Sequence, residues 1–333
     1  MLKRFFILAI CIFVALAAIS QKTYNMLGFE LQLEPLMQDM FESKTDNERF
    51  AANEEFISIL EDALENEKSF DYTFSKLDKI KILTSKDKKF RVITWAIVNE
   101  QGYWENYGFV QAKNSDEEYV SYRLFDKSDD IMSPETEKLN DSTWFGAVYY
   151  DLITTKNENR TYYTLLGWDG NSIYSQRKVI EPISIKSNGS PIFGQNIFYK
   201  EKDRMRIIFE YSTNTNLTLK YDEQYYEIVS NKKAKSSLFH KAKPFEKEEP
   251  KTEKQKMIFY DELEPHIYGM EGLTQYYVPS GNVTGMYFEN GKWRKLKYNV
   301  QPRNKAAKND SETPDNNDFT PRQVSNRSLF PQE

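Results

Sequence analysis

Residues 142–171 read STWFGAVYYDLITTKNENRTYYTLLGWDGN: two aromatic, β-branched runs joined by a polar loop and closed by Asp169-Gly170. Along the first run, Trp144, Val148, Tyr150 and Leu152 fall on one face of a period-2 strand, and Phe145, Ala147, Tyr149 and Ile153 on the other. Both faces are apolar, as in a strand covered on both sides, and Asp151 is the exception. The return run, Tyr162 to Trp168, has the same character. Thr154 to Arg160 is polar enough to be the connecting loop, and Asp169-Gly170 supplies positive-φ turn chemistry for the next reversal. The stretch predicts a β-hairpin near the middle of a larger antiparallel sheet.

Working outward, further strand-like runs cover Ile80–Leu83, Phe90–Val98, Tyr107–Ala112, Tyr119–Phe125, Val179–Ile185 and Ile192–Tyr199. Met205, Ile207, Phe209 and Tyr211 alternate with Arg204, Arg206 and Glu210, which predicts one buried and one wet face. Leu217, Leu219 and Tyr221 repeat that alternation, and Asn290-Gly291 between two short runs is a strong hairpin signal. From Leu27 to Phe70 the period is helical, with Pro35 in a first turn and Asp46 as an N-cap. The expectation is a mainly β protein: an antiparallel sandwich or barrel-like sheet with an N-terminal helical hairpin, or else a propeller-like array. The boundaries read as a signal peptide over 1–20, a helical cap over 21–70 and a β core over 71–230. A charged loop or linker over 231–256, a C-terminal β part over 257–301 and a disordered tail over 302–333 complete the chain.

Lys3 and Arg4 precede an apolar run from Phe5 to Ala18, and Ala18-Ile19-Ser20 is a small-x-small cleavage site. That run falls short of the ~20 residues needed to cross a bilayer. Export to the periplasm or beyond is expected, with no membrane span after cleavage. Cleavage also removes Cys11, the one cysteine, so the mature chain has neither disulfide nor thiolate chemistry. The segment carries two of the 45 basic residues, leaving 43 against 50 acidic ones, a balance that argues against nucleic acid as a partner.

His240 and His266 lie in different contexts, and there is no Gly-rich phosphate loop, nucleophile elbow or calcium loop. No metal and no cofactor are therefore expected. Among the carboxylates, Asp151 and Asp169 are the catalytic candidates, Asp151 because it interrupts an apolar face and Asp169 as the acid of the closing turn. Aromatic residues reach 15% of the chain. Trp104, Trp144 and Trp168 are the binding candidates, since exposed rings stack on sugar faces or anchor a protein partner.

Lys81–Ser85, Lys89–Arg91 with Trp95, Trp144–Tyr150, Tyr162–Gly170 and Arg206–Tyr211 together resemble an uncharacterised family of exported β-rich proteins from Bacteroidota. The resemblance spans roughly Phe70 to Asn299, and it implies export without implying an activity. The two function classes that follow are a non-enzymatic binding or assembly module of the cell envelope, with a glycan or envelope protein as partner, and a carboxylate-dependent hydrolase acting on glycans.

Overall fold

In the computed structural model, which describes residues 25–228, 251–296 and 300–301, the Ser142–Asn171 stretch forms the hairpin β6 (Val148–Asn157) and β7 (Arg160–Asp169). The expected signal peptide and tail, and residues 231–250 of the expected charged linker, lie outside the described residues. The polar loop is shorter than its composition suggests. Asn157 pairs with Arg160, leaving a two-residue turn in which Glu158 takes a φ of +52°.

A bulge at Tyr150 changes which side chains share a face. Tyr149 pairs with Gly167 and Asp151 with Leu166, so the residue between them is extra. Beyond the bulge the alternation is offset by one. Leu152 joins Tyr149 and Leu165 in one cluster, while Ile153 joins Tyr150 and Leu166 in another. The predicted pairing of Tyr150 with Leu152 on one face is thereby corrected. Leu165 and Leu166 are both fully buried, on opposite faces.

Among the described residues, the hairpin belongs to the second of three antiparallel sheets. The first is a meander of β1 (Lys81–Thr84), β2 (Phe90–Val98), β3 (Trp104–Lys113) and β4 (Tyr119–Phe125). The second adds β5 (Leu139–Asn140), β8 (Ser175–Ile185), β9 (Pro191–Phe193) and β10 (Ile207–Ser212), in the order β5-β9-β8-β7-β6, with β10 also on β8. The third contains β11 (Leu219–Ile228), β12 (Lys251–Pro265), β13 (Tyr277–Glu289), β14 (Lys292–Lys295) and β15 (Val300–Gln301). Strand β12 takes in the last six residues expected to be linker. Gly194, at φ +90°, stops β9 well short of the predicted Tyr199. Asn290 and Gly291 both take positive φ, at +51° and +74°, as a two-residue hairpin turn requires.

The sheets stack in chain order. Phe90, Val92, Val110 and Leu124 of the first sheet meet Tyr149, Tyr163, Leu165 and Val179 of the second. On the other side of the second sheet, Ile153, Leu166, Ile180 and Ile207 meet Leu219, Ile258, Met286 and Trp293 of the third. Trp293 Nε1 donates to Thr164 Oγ1 at 3.1 Å across that layer. The middle sheet is covered on both faces, which is why its strands are apolar on both. The fold is mainly β with antiparallel sheets, and no closed barrel forms among the described residues.

Strand β10 departs from the expected wet face. Arg206 is fully buried against Glu181 of β8, with Nε 2.8 Å from Oε2 and 3.1 Å from Oε1. Its other nitrogens donate to the carbonyls of Pro134, Glu137 and Phe193. Burial pushes the Glu181 carboxyl up to about 7, while Arg206 pulls it down. Charge in the sequence pattern marked this residue as exposed; a saturated set of partners is what lets it lie inside.

Residues 25–79 are a compact unit of their own, with helices α1 (Met26–Glu42) and α2 (Asp46–Leu64) as a hairpin. Thr45, not Asp46, caps α2, through a capping box with Glu48. Pro35 lies inside α1 rather than in its first turn. It sits on the exposed side, as does Leu31, so water can take the Leu31 carbonyl that Pro35 leaves without an N–H. Buried Glu30 accepts from Tyr72 Oη at 2.5 Å and from the Lys76 N–H at 2.7 Å, and it raises the Tyr72 hydroxyl to about 12.

Candidate functional site

A cleft of about 610 Å³ opens beside the start of β3, the end of β4 and the end of β7. Three polar side chains form its base. Asn106 on β3 is 4% exposed and donates from Nδ2 to Asp126 Oδ2 at 3.0 Å and to Asp169 Oδ1 at 3.1 Å. One nitrogen thus bridges two carboxylates, whose bonded oxygens are no more than about 6 Å apart. The Asn106 Oδ1 atom is buried with no hydrogen-bond partner.

Asp126 follows β4 and is tied down through Oδ1. That oxygen accepts from the Ser128 N–H at 2.9 Å, from Ser128 Oγ at 2.5 Å and from the Gly146 N–H at 3.1 Å. A side chain at position 146 would run into the Asp126 carboxyl, so glycine is required there. Asp169 ends β7 and is 3% exposed. Its Oδ1 also accepts from the Asn171 N–H at 2.9 Å, and its Oδ2 faces Arg177 Nη1 at 3.3 Å. Burial raises the Asp169 carboxyl to about 6 against the pull of Arg177, and nearby Asp126 adds to the rise.

Aromatic rings form the walls. Trp104 meets Trp168 edge-to-face at 5.0 Å and lies over Gly170, where any Cβ would collide with its indole. Close approach, rather than positive φ, is therefore what demands glycine at 170; the positive φ of this turn belongs to Asn171, at +50°. Tyr107 stacks on Trp95 at 5.9 Å and donates its hydroxyl to Glu105 Oε2 at 2.8 Å. Tyr103 and Phe125 are exposed, with the Arg123 guanidinium 5.3 Å from the Phe125 ring centre.

The residues singled out in the sequence divide sharply here. Trp104 lines the cleft. Trp168 is 3% exposed, donates from Nε1 to Gln176 Oε1 at 2.7 Å, and backs Trp104 from behind. Trp144 is 0% exposed, with Nε1 on the Tyr149 hydroxyl at 2.9 Å, and presents no ring face to a ligand. Asp151 and Asp169 do not come together. Asp151 pairs with Leu166 on the face toward the third sheet, whereas Asp169 lies on the face toward the first. Asp126 takes the place expected of Asp151. Its signal was the meander: Tyr107 pairs with Phe125, so the next pair along is Asn106 with Asp126.

Among the described residues, no group of three or more His, Cys, Asp or Glu side chains is placed to hold a metal ion, and no helix is long and apolar enough to cross a membrane. Compared with protein-family models, with curated proteins and with solved structures, the chain matches none.

Proposed function

We propose that this chain is an exported, non-enzymatic binding module of the cell envelope, and that its ligand is a glycan. The observation that carries the reading is the cleft itself: exposed or half-buried rings of Tyr103, Trp104, Tyr107 and Phe125 around a base of amide and carboxylate groups. Rings take the flat apolar face of a sugar, and the polar base takes its hydroxyls. The carboxylates support binding over turnover because both are already occupied. Asp126 accepts four hydrogen bonds and Asp169 accepts three, Arg177 included. A nucleophile or general acid must instead offer a lone pair or proton to the substrate. Export rests on the basic start, the apolar run and the Ala18-Ile19-Ser20 site.

Glycan-array binding of the mature chain tests this, with Tyr103→Ala and Trp104→Ala as variants. Loss of signal in both, with folding intact, is the expected result; retention in both removes aromatic recognition.

A carboxylate-dependent hydrolase is the second reading. It is favoured by the spacing of Asp126 and Asp169 and by the raised Asp169 carboxyl, which is suited to an acid role beside a second carboxylate. Glycan cleavage that disappears in both Asp126→Asn and Asp169→Asn would establish it in place of the first.

A further inference from the structure

We infer that the group recognised at the base of the cleft is a protonated amine, so that the ligand is an amino-bearing one, an amino sugar if the glycan reading on which this rests is right. Five carboxylates line the cleft, from Glu105, Asp126, Asp129, Asp130 and Asp169, against three cations, Arg123, Lys127 and Arg177. Each cation is already engaged. Arg177 faces Asp169 at 3.3 Å, Lys127 faces Asp130 at 3.3 Å, and Arg123 lies over Phe125. The cleft therefore keeps an excess of negative charge, and an arriving cation is attracted to it.

Asn106 makes the inference more specific. Its Nδ2 shows that one nitrogen donor is held by both carboxylates at once, at 3.0 and 3.1 Å. Its Oδ1 is buried without a donor, so the amide as it stands leaves one acceptor unsatisfied. An ammonium carries three N–H donors and no acceptor. With the Asn106 amide turned about its terminal bond, Oδ1 takes the place of Nδ2, and an ammonium beside it finds three acceptors, Asp126 Oδ2, Asp169 Oδ1 and Asn106 Oδ1. A hydroxyl matches this set less well, because its lone pairs would face carboxylate oxygens. The surrounding rings of Tyr103, Trp104, Tyr107 and Phe125 favour a cation over a neutral group for the same electrostatic reason.

Calorimetry on the mature chain at low salt separates the possibilities, using three probes: the glucosamine tetramer, the N-acetylglucosamine tetramer and 1,5-diaminopentane. The amino tetramer is expected to bind at least about tenfold tighter than its acetylated form, the scale of one charge-assisted hydrogen bond. That preference should shrink clearly more in Asp126→Asn than in Asp129→Asn, which removes an exposed lining carboxylate outside the acceptor set and leaves the fold alone. Equal or tighter binding of the acetylated tetramer overturns the amine inference and leaves the glycan reading standing. Binding of the diamine with neither tetramer bound does the reverse. No binding of any probe sinks both. A preference that falls equally in the two variants assigns it to diffuse charge attraction, and one that falls in neither places it elsewhere; either overturns the inference.

Discussion

Glu181 and Asp169 sit on adjacent strands of the middle sheet and both are buried, but their surroundings are opposite. Glu181 is closed in by Arg206, whose remaining nitrogens are spent on three backbone carbonyls. That site is a sealed clamp, holding the Pro134–Glu137 connection against β8 and β10. Asp169 shares one amide nitrogen with a second carboxylate at the base of an open cleft, and that amide leaves an oxygen without a donor. Burial of an acid does not by itself mark function. What separates the two is whether the hydrogen-bond account closes without a ligand.

The largest effect is expected at the clamp. Arg206→Met strands Glu181 as a buried charge and should cost about 3–5 kcal/mol in urea unfolding. Removing the charge as well, in Arg206→Met with Glu181→Leu, should restore much of that loss. Equal losses in the single and double variants would mean that Arg206 acts through shape rather than charge.

Next comes pH. Asp169 titrates near the usual carboxylate value of 3.8 when unfolded and at about 6 when folded. The native state therefore holds the extra proton between those values. The resulting stability is complete below the lower value and lost as pH rises through the upper one, on the order of 3 kcal/mol. For Glu181 the corresponding loss runs up to about 7. Unfolding free energies measured from pH 4 to 7 should fall in the native protein, and Asp169→Asn should make the fall below pH 6 shallower while leaving the Glu181 part, from 4.5 to about 7, in place. An unaltered slope would show that the two acids do not differ as their surroundings imply.

A smaller loss, about 1–3 kcal/mol, is expected for Gly170→Val, which forces the Trp104 indole off its seat. Tryptophan fluorescence should shift with it; loss of stability with an unmoved spectrum would place the strain elsewhere. At the bottom of the scale, Tyr103→Ala should change stability by no more than about 0.5 kcal/mol, because the ring is exposed. A cost well above that would make Tyr103 part of the fold rather than of the cleft wall.

Sequence pattern carried the strand content well. Phe90–Val98 and Tyr119–Phe125 coincide with β2 and β4, and the two-sided apolar character of the hairpin corresponds to a sheet covered on both faces. Three things lay beyond it, each for a physical reason. Period-2 parity cannot reveal a bulge, so it puts Tyr150 and Leu152 on one face where the structure separates them. A charged residue on a strand looks exposed until its partners are known, and those of Arg206 are up to 72 residues away. The cleft draws Asn106, Asp126 and Asp169 from separate strands and loops, and only Asp169 stood out locally. Of the tryptophans, composition could not tell the lining Trp104 from the buried Trp144, since both sit among aromatic neighbours.

The stacking of the three sheets in chain order also bears on synthesis. Domains emerge from the ribosome amino end first. The first two sheets can close on each other as soon as residues through Ser212 are available. At that moment Ile153, Leu166, Ile180 and Ile207 still lack the cover that arrives with Leu219, Ile258, Met286 and Trp293. A nascent chain therefore passes through a stage in which that face of the middle sheet is uncovered, lasting while residues 213–293 are being made.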